Sequence, residues 1–354
     1  MIRMPGLIDP HVHLREPGDT HKEDWDTGTQ AALAGGVTLL LAMPNTHPPI
    51  TNGAALEVAL QAAHQKARVD YAQFIGAGPE NVHLPEKVTQ HAAGLKMYLD
   101  QTFGQLRLDD MTLWMEHLAA WPANLPIAIH AEERTLAAVI LIASLYDRPI
   151  HLCHVSRRQE ILLIRAAKER GIKVTCEVTP HHLFLCEDDI AQIGSGRSQV
   201  RPTLARKADV QALWDNLDII DCFATDHAPH TLAEKDSSTP PPGFPGMETA
   251  LPLYLTALAD GRLTLEDIIT RCVTNPRSIF KLPEQPQTWL EIDPDARWVI
   301  QAANTHTRCG WTPFEGMSVH GKLSRVVLRG QEVFKDGEIK ALPGYGKNIR
   351  ESIL

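Results

Sequence analysis

The 354 residues carry 34 Lys and Arg against 43 Asp and Glu, a net charge of −9, with 44% hydrophobic and 22% charged side chains. That balance describes a soluble globular chain with a large core, and it argues against nucleic acid or an anionic membrane surface as partner, since both are held by basic patches. Six cysteines without paired spacing read as free thiols, the N-terminus is no signal peptide, and no apolar run reaches the ~18 residues of a membrane span, so a reducing, cytoplasmic setting is expected.

Short apolar runs alternate with helical stretches along the chain, the pattern of βαβ units and a parallel sheet. The first predicted strand is Leu7–His13; a helix near Lys22–Ala34, closed by Gly35 and Gly36, leads to the second, Thr38–Met43. A helix around Ala54–Lys66 precedes the third, Tyr71–Gly76, and the fourth is Gly94–Leu99. The fifth, Pro126–Ala131, follows the amphipathic stretch Asp110–Trp121, and the sixth is Ile150–His154. Gln159–Arg170 precedes the seventh strand, Lys173–Val178, and Lys207–Asn216 the eighth, Asp221–Asp226. Eight strands with intervening helices predict an α/β protein, a (β/α)8 TIM barrel over residues 1–285 whose site sits at the C-terminal strand ends. The Pro-rich stretch Thr231–Pro245 is expected to be a surface loop on that face. Helices resume near Met247–Ala259 and Leu265–Cys272, and from about Pro283 short strands and turns predict a small β appendage, residues 286–354, packed on the barrel.

Chemistry gathers at the strand ends. His11 and His13 lie two apart on one strand and so share a face. Strand four carries Lys96, strand five ends in His130-Ala131-Glu132, strand six in Cys153-His154, strand seven holds Glu177 and leads to His181-His182, and strand eight ends in Asp226-His227. Each has a plain reading: a strand histidine satisfied in the core, or a Glu132 that charges the start of a helix. Taken together they would be a stack of costly buried polar groups, whereas imidazole and carboxylate form a ligand set suited to zinc. Lys96 stands in the apolar string Gly94-Leu95-Lys96-Met97-Tyr98-Leu99 and points inward by alternation. A buried ammonium must be paired with a carboxylate or neutralised. A neutral amine there can add CO2, and the resulting anionic carbamate can bridge two metal ions.

The strings HVHLREPG, AMPNT, GLKMYL, HAE, HLCHVS, CEVTPHHLFL and FATDHAPH together resemble the dihydroorotases of the amidohydrolase superfamily, most of all the domain found in animal-type multifunctional pyrimidine-synthesis chains. The likeness runs the length of the sequence in order; single pieces are shared with hydantoinases. It implies that His11, His13 and Asp226 hold one zinc, that His130 and His154 hold a second, and that carboxylated Lys96 bridges them. Cys153 and Glu177 match positions that join a third zinc beside the first-strand histidines, although a buried Cys next to a ligand also serves as plain packing. His182 matches a histidine near that cluster. Arg15 offers a planar fork for a carboxylate. Asn45 and His230 complete the clamp, and Arg201 is either a further contact or a solvated loop arginine. Thr102 and Phe103 match a mobile loop that closes over substrate.

The implied reaction is the reversible cyclisation of N-carbamoyl-L-aspartate to L-dihydroorotate, with Asp226 moving the proton. A homodimer is implied, as is a place in a multifunctional assembly. Two rivals remain: another cyclic amidohydrolase such as a hydantoinase or allantoinase, which needs no carboxylate clamp, and a non-catalytic dihydroorotase-like scaffold, which would have lost metal ligands.

Overall fold

The computed structural model describes residues 1–351. Parallel strands β2 (Leu7–Val12), β3 (Val37–Ala42) and β4 (Asp70–Gln73) form one run of the barrel wall. The chain bends at Phe74 and continues as β5 (Ile75–Gly76), which pairs with β6 (Leu95–Tyr98). From there the wall runs through β7 (Ile127–His130), β8 (Ile150–Leu152), β9 (Val174–Val178) and β10 (Cys222–Phe223). A bridge between Val12 and His227, with His13 N–H donating to His227 O at 2.7 Å, closes the circle. The eight predicted strands are therefore present as a barrel, with β4 and β5 sharing the third position.

Helix starts follow from capping chemistry. Asp24 accepts from Thr27 N–H at the start of Trp25–Ala34, and Asn52 accepts from Ala55 N–H at the start of Gly53–Lys66, each satisfying a donor that the helix cannot pair internally. The barrel strands are buried on both faces, as a sheet covered by helices requires.

The appendage departs from its predicted limits. It is an antiparallel sheet of β1 (Ile2–Pro5), β11 (Trp289–Val299), β12 (Ser318–Leu328), β13 (Gln331–Lys335) and β14 (Glu338–Ile339). Ile2–Pro5 thus belongs to it, with Met4 opposite Leu290, and a boundary drawn at residue 286 leaves out one edge strand. Gly6 is the joint: a Cβ there would lie 2.3 Å from Thr38 Oγ1, so only glycine lets the chain pass from appendage to barrel at that spot. The last described residues leave the appendage and pack under the barrel, where Arg350 Nη2 donates to Phe280 O and Ala93 O at 2.8 and 3.2 Å. The Pro-rich loop also departs from expectation. It lies over the strand C-termini as predicted, but Lys235, Gly243 and Phe244 are buried in it.

Candidate active site

At the mouth of the barrel the strand-end residues converge. His11 Nε2 lies 3.3 Å and His13 Nε2 3.0 Å from the same carboxylate oxygen of Asp226. His130 Nδ1 faces His154 Nε2 at 2.9 Å, and the His11 and His154 rings are 5.3 Å apart, so the two histidine pairs adjoin. On the adjoining strand β6 stands Lys96, which has no exposed surface; its Nζ donates to Cys153 Sγ at 2.9 Å. Among the described residues Lys96 forms no ion pair, which removes the reading of a lysine neutralised by a neighbouring carboxylate.

These groups fit a metal centre. His11, His13 and Asp226 bring three ligand atoms within 4.8 Å of one another, and so do His11, Cys153 and Glu177. Burial pushes the His13 imidazole down to about 4 and the His154 imidazole well below its usual range, so both present neutral nitrogens, the form that binds metal. Burial alone would raise the Asp226 carboxyl, but the neighbouring His11, His13 and His154 rings outweigh it and hold the group well below the usual carboxylate range. His154 Nδ1 is buried without a partner, and His130 Nε2 has only the Glu132 carboxylate, at 3.5 Å. An orphaned nitrogen such as His154 Nδ1 costs free energy unless something binds it. Arg15, His154 and Asp226 all hold positive φ, 60°, 36° and 45°, a conformation non-glycine residues rarely adopt and one that clusters at functional sites.

The layer behind the ligands is equally ordered. Asn45 Oδ1 accepts from His13 Nδ1 at 2.6 Å, fixing the tautomer that leaves Nε2 free. Glu177 receives His11 Nδ1 at 2.5 Å through one oxygen and His151 Nε2 at 3.1 Å through the other. Burial pushes its carboxyl up, but the charge interaction with His11 and those two bonds hold it well below the usual range. Cys153 is also buried, which pushes its thiol up, so thiolate character there would have to come from a bound cation. His182 stands beside the cluster without joining it: Nδ1 meets Thr179 Oγ1 at 2.8 Å and Nε2 meets Pro202 O at 3.1 Å, and both nitrogens are spent.

Next to the histidine–aspartate cluster a cavity is lined by His13, Arg15, Asn45, Thr102, Phe103, Arg201 and Asp226, together with Pro242 and Gly243. Only about 20 Å³ of it is open, room for roughly one water. Phe103 is the cover. Its ring stands 4.9 Å from the His230 ring and 5.1 Å from the Arg15 guanidinium, and its carbonyl accepts from Asn45 Nδ2 at 2.9 Å. Arg15 is 3% exposed and, among the described residues, has no carboxylate partner; Nε donates to Pro229 O at 3.0 Å and Nη2 lies 3.1 Å from His230 Nε2. Burial lowers its pKa to about 10, still fully charged at neutral pH. A buried, unpaired guanidinium facing a cavity is a site for an anion. A larger cleft of about 610 Å³, between helix Met247–Ala259 and the appendage, contains none of these groups.

One residue of this site was not singled out from the sequence. Tyr98, two positions after Lys96 and hence on the same face, buries an unpartnered hydroxyl near Cys153, Asp226 and Arg15; the alternation that exposed Lys96 was the signal for it. His181 buries an unpartnered Nε2 with its ring 5.2 Å from Phe244. The sequence offered it only as one of the strand-end pair His181-His182, without a role.

Comparison with known proteins agrees with this geometry. Residues 2–285 match the Amidohydrolase family. The chain is 55% identical over 350 residues to "Multifunctional protein CAD" of Squalus acanthias, covering 99% of this chain but only 16% of that protein. It is 35% identical to the "Dihydroorotase" of Pyrococcus furiosus, covering 97% of this chain and 84% of that one. Among solved structures, the "Inactive dihydroorotase-like domain" of a Chaetomium thermophilum CAD-like multifunctional protein superposes with a TM-score of 0.84 at 30% identity, over 98% of this chain and 99% of that one. Family, barrel and strand-end chemistry coincide: the chain belongs to the amidohydrolase family and, within it, to the dihydroorotases.

Proposed function

We propose that this chain is a zinc-dependent dihydroorotase, opening L-dihydroorotate to N-carbamoyl-L-aspartate and closing it again. The observation that carries the reading is the buried, unpaired Arg15 beside the histidine–aspartate cluster. A hydantoinase-type substrate lacks the carboxylate that such a guanidinium would hold, and a scaffold without activity has no use for the full ligand set.

His11, His13 and Asp226 would hold one zinc, and His130 and His154 a second, with Lys96 bridging them as a CO2-derived carbamate. His11, Cys153 and Glu177 offer a third position. Bound zinc supplies Lewis acidity, lowering the pKa of water and drawing charge from the scissile carbonyl. The rest falls to the chain. Arg15, Asn45, Arg201 and His230 orient the substrate carboxylate, while Thr102 and Phe103 exclude bulk water. Asp226 accepts the proton of the attacking water and delivers it to the ring nitrogen as the carbon–nitrogen bond breaks, acting as general base and then general acid.

The likeness to one segment of a far longer relative supports a role beside other pyrimidine-synthesis activities, covalently joined or not. Self-association as a dimer has support from Leu141, Leu145, Leu162 and Leu163, large apolar side chains exposed on the neighbouring helices Glu133–Leu145 and Arg158–Glu169, with exposed Tyr146 just past the first. No helix among the described residues is long and apolar enough to cross a membrane, and six free buried cysteines suit a reducing, cytoplasmic compartment.

The test is metal content together with turnover of L-dihydroorotate. Two or more zinc ions per chain with turnover, nearly abolished in Asp226→Asn, is the expected result. Zinc without turnover would leave a different cyclic amide as substrate, and most activity surviving in Asp226→Asn would remove that residue from proton transfer.

A further inference from the structure

One buried charge has no place in the chemistry above. Lys235 ends the short helix Leu232–Lys235, has no exposed surface, and forms no ion pair among the described residues. Its Nζ donates to the carbonyls of Gln199 at 2.7 Å, Pro241 at 2.9 Å and Gly243 at 3.2 Å. It also lies 5.6 and 5.5 Å from the ring centroids of Phe244 and Trp311. An ammonium has three donors and no acceptor, so the three carbonyls use its whole capacity, and the aromatic faces add quadrupole attraction. Burial pulls this group from 10.5 down to about 7, with Arg15 and Arg201 pushing the same way, while the carbonyl cage favours the charged form. An arrangement this demanding is worth keeping only for its geometry.

The geometry concerns the substrate cavity. Gln199 leads into Val200 and Arg201, and Pro241 into Pro242 and Gly243; the four residues they lead into line the cavity. Gly243 N–H also donates to Gln199 O at 3.0 Å, so the two segments are tied twice. Pro242 O lies 3.0 Å from His230 Nε2, the same nitrogen that faces Arg15. From the other side Trp311, in the connection between β11 and β12, donates its indole N–H to His230 O at 2.7 Å.

We propose that Lys235 is a positioning residue that clips segment 199–201 to segment 241–243, so that Arg201, Gly243 and His230 present themselves beside Arg15, with Trp311 anchoring the same corner from the appendage. This rests on the dihydroorotase reading. The clip acts on ground-state grip, not on the metal cluster, so its loss should raise KM and spare kcat.

The experiment is steady-state hydrolysis of L-dihydroorotate by the zinc-loaded full chain carrying Lys235→Met, Lys235→Arg or Trp311→Phe. Lys235→Met keeps the apolar stem and loses all three donors. It should raise KM about tenfold or more, with kcat within about threefold and zinc content unchanged. Lys235→Arg, which keeps charge and donors, should recover part of that loss. Trp311→Phe keeps an aromatic face and loses one hydrogen bond, so a rise of about threefold is expected. A folded, zinc-loaded Lys235→Met with KM within twofold of the parent, or with kcat lowered at unchanged KM, overturns the assignment. If Lys235→Met does not fold, Trp311→Phe decides, and an unmoved KM there overturns it. A zinc-loaded parent that leaves dihydroorotate untouched overturns both this and the reading beneath it, whereas an active parent with unmoved variants overturns this alone.

Discussion

Asn45 Oδ1 accepts a hydrogen bond from His13 Nδ1 at 2.6 Å, and the same side chain donates through Nδ2 to Phe103 O at 2.9 Å. One amide therefore fixes the tautomer of His13, the proposed metal ligand, and tethers the loop that covers the cavity. The resemblance gave Asn45 to the substrate; in this closed arrangement both ends of its amide are engaged by the protein. Partners that orient a ligating histidine are typically worth 10–100-fold in metal affinity or activity. Asn45→Ala should accordingly lose zinc to a competing chelator at about 10–100-fold lower chelator strength. Asn45→Asp keeps the acceptor and should lose far less. Parental zinc retention in Asn45→Ala would show that the His13–Asn45 bond has no part in holding the ion.

Arg15 bears on substrate choice. Its guanidinium is buried, charged and without a carboxylate, and hydrogen bonds to a charged partner are worth about 1.5–3 kcal/mol each. Arg15→Lys keeps the charge but loses the planar fork. KM for dihydroorotate should rise about 10–100-fold, while turnover of hydantoin, which has no carboxylate, should change little. If both substrates weaken equally, Arg15 is holding the fold of the site and not the carboxylate.

How much of this was open to the sequence depends on the range of the interaction. Lys96, His11, His13 and Tyr98 could be read, or could have been, because alternation along a strand is local and the barrel gathers strand ends at one mouth. Of the clamp residues named by resemblance, Arg15, Asn45 and Arg201 line one cavity, while His230 stands against Arg15 without lining it. The membership of Ile2–Pro5 in the appendage was hidden, because its partner Trp289–Ile292 lies far along the chain and Met4–Ile8 reads as one apolar run across Gly6. The burial of Lys235 was hidden for another reason. Its partners are backbone carbonyls, which every residue has, so a polar, Pro-rich stretch gave no hint of a caged ammonium. Glu177 is the intermediate case: a strand carboxylate near histidines was visible, but not that its two oxygens divide between His11 and His151.

Lys96 yields a prediction separate from the fold. Its amine is enclosed, with Cys153 Sγ as its hydrogen-bond partner, and assembly of a bridging carbamate would need CO2 as well as zinc. Protein stripped of metal and degassed should regain activity slowly on addition of zinc alone, and faster as bicarbonate is raised. Lys96→Met, which fills the same space with an apolar chain, should fold but stay inactive at any bicarbonate concentration. Reactivation at one rate with and without bicarbonate would mean that Lys96 acts as a free amine.

The direction of the reaction should follow pH with a definite sign. Opening dihydroorotate breaks an amide and yields a carboxyl group, which is ionised above its ordinary range near 4, so ring opening releases a proton and cyclisation takes one up. The ratio of dihydroorotate to carbamoyl aspartate should then fall by about tenfold for each unit of pH increase between about pH 6 and 8. This slope belongs to the reaction and not to any residue of the enzyme, so it holds whichever group carries the proton. It can be measured by letting the zinc-loaded protein bring the mixture to equilibrium from both sides at several pH values. A ratio that is flat across two units, reached from both directions, would mean that the bond being made and broken is not this amide, and the assignment of substrate would fall with it.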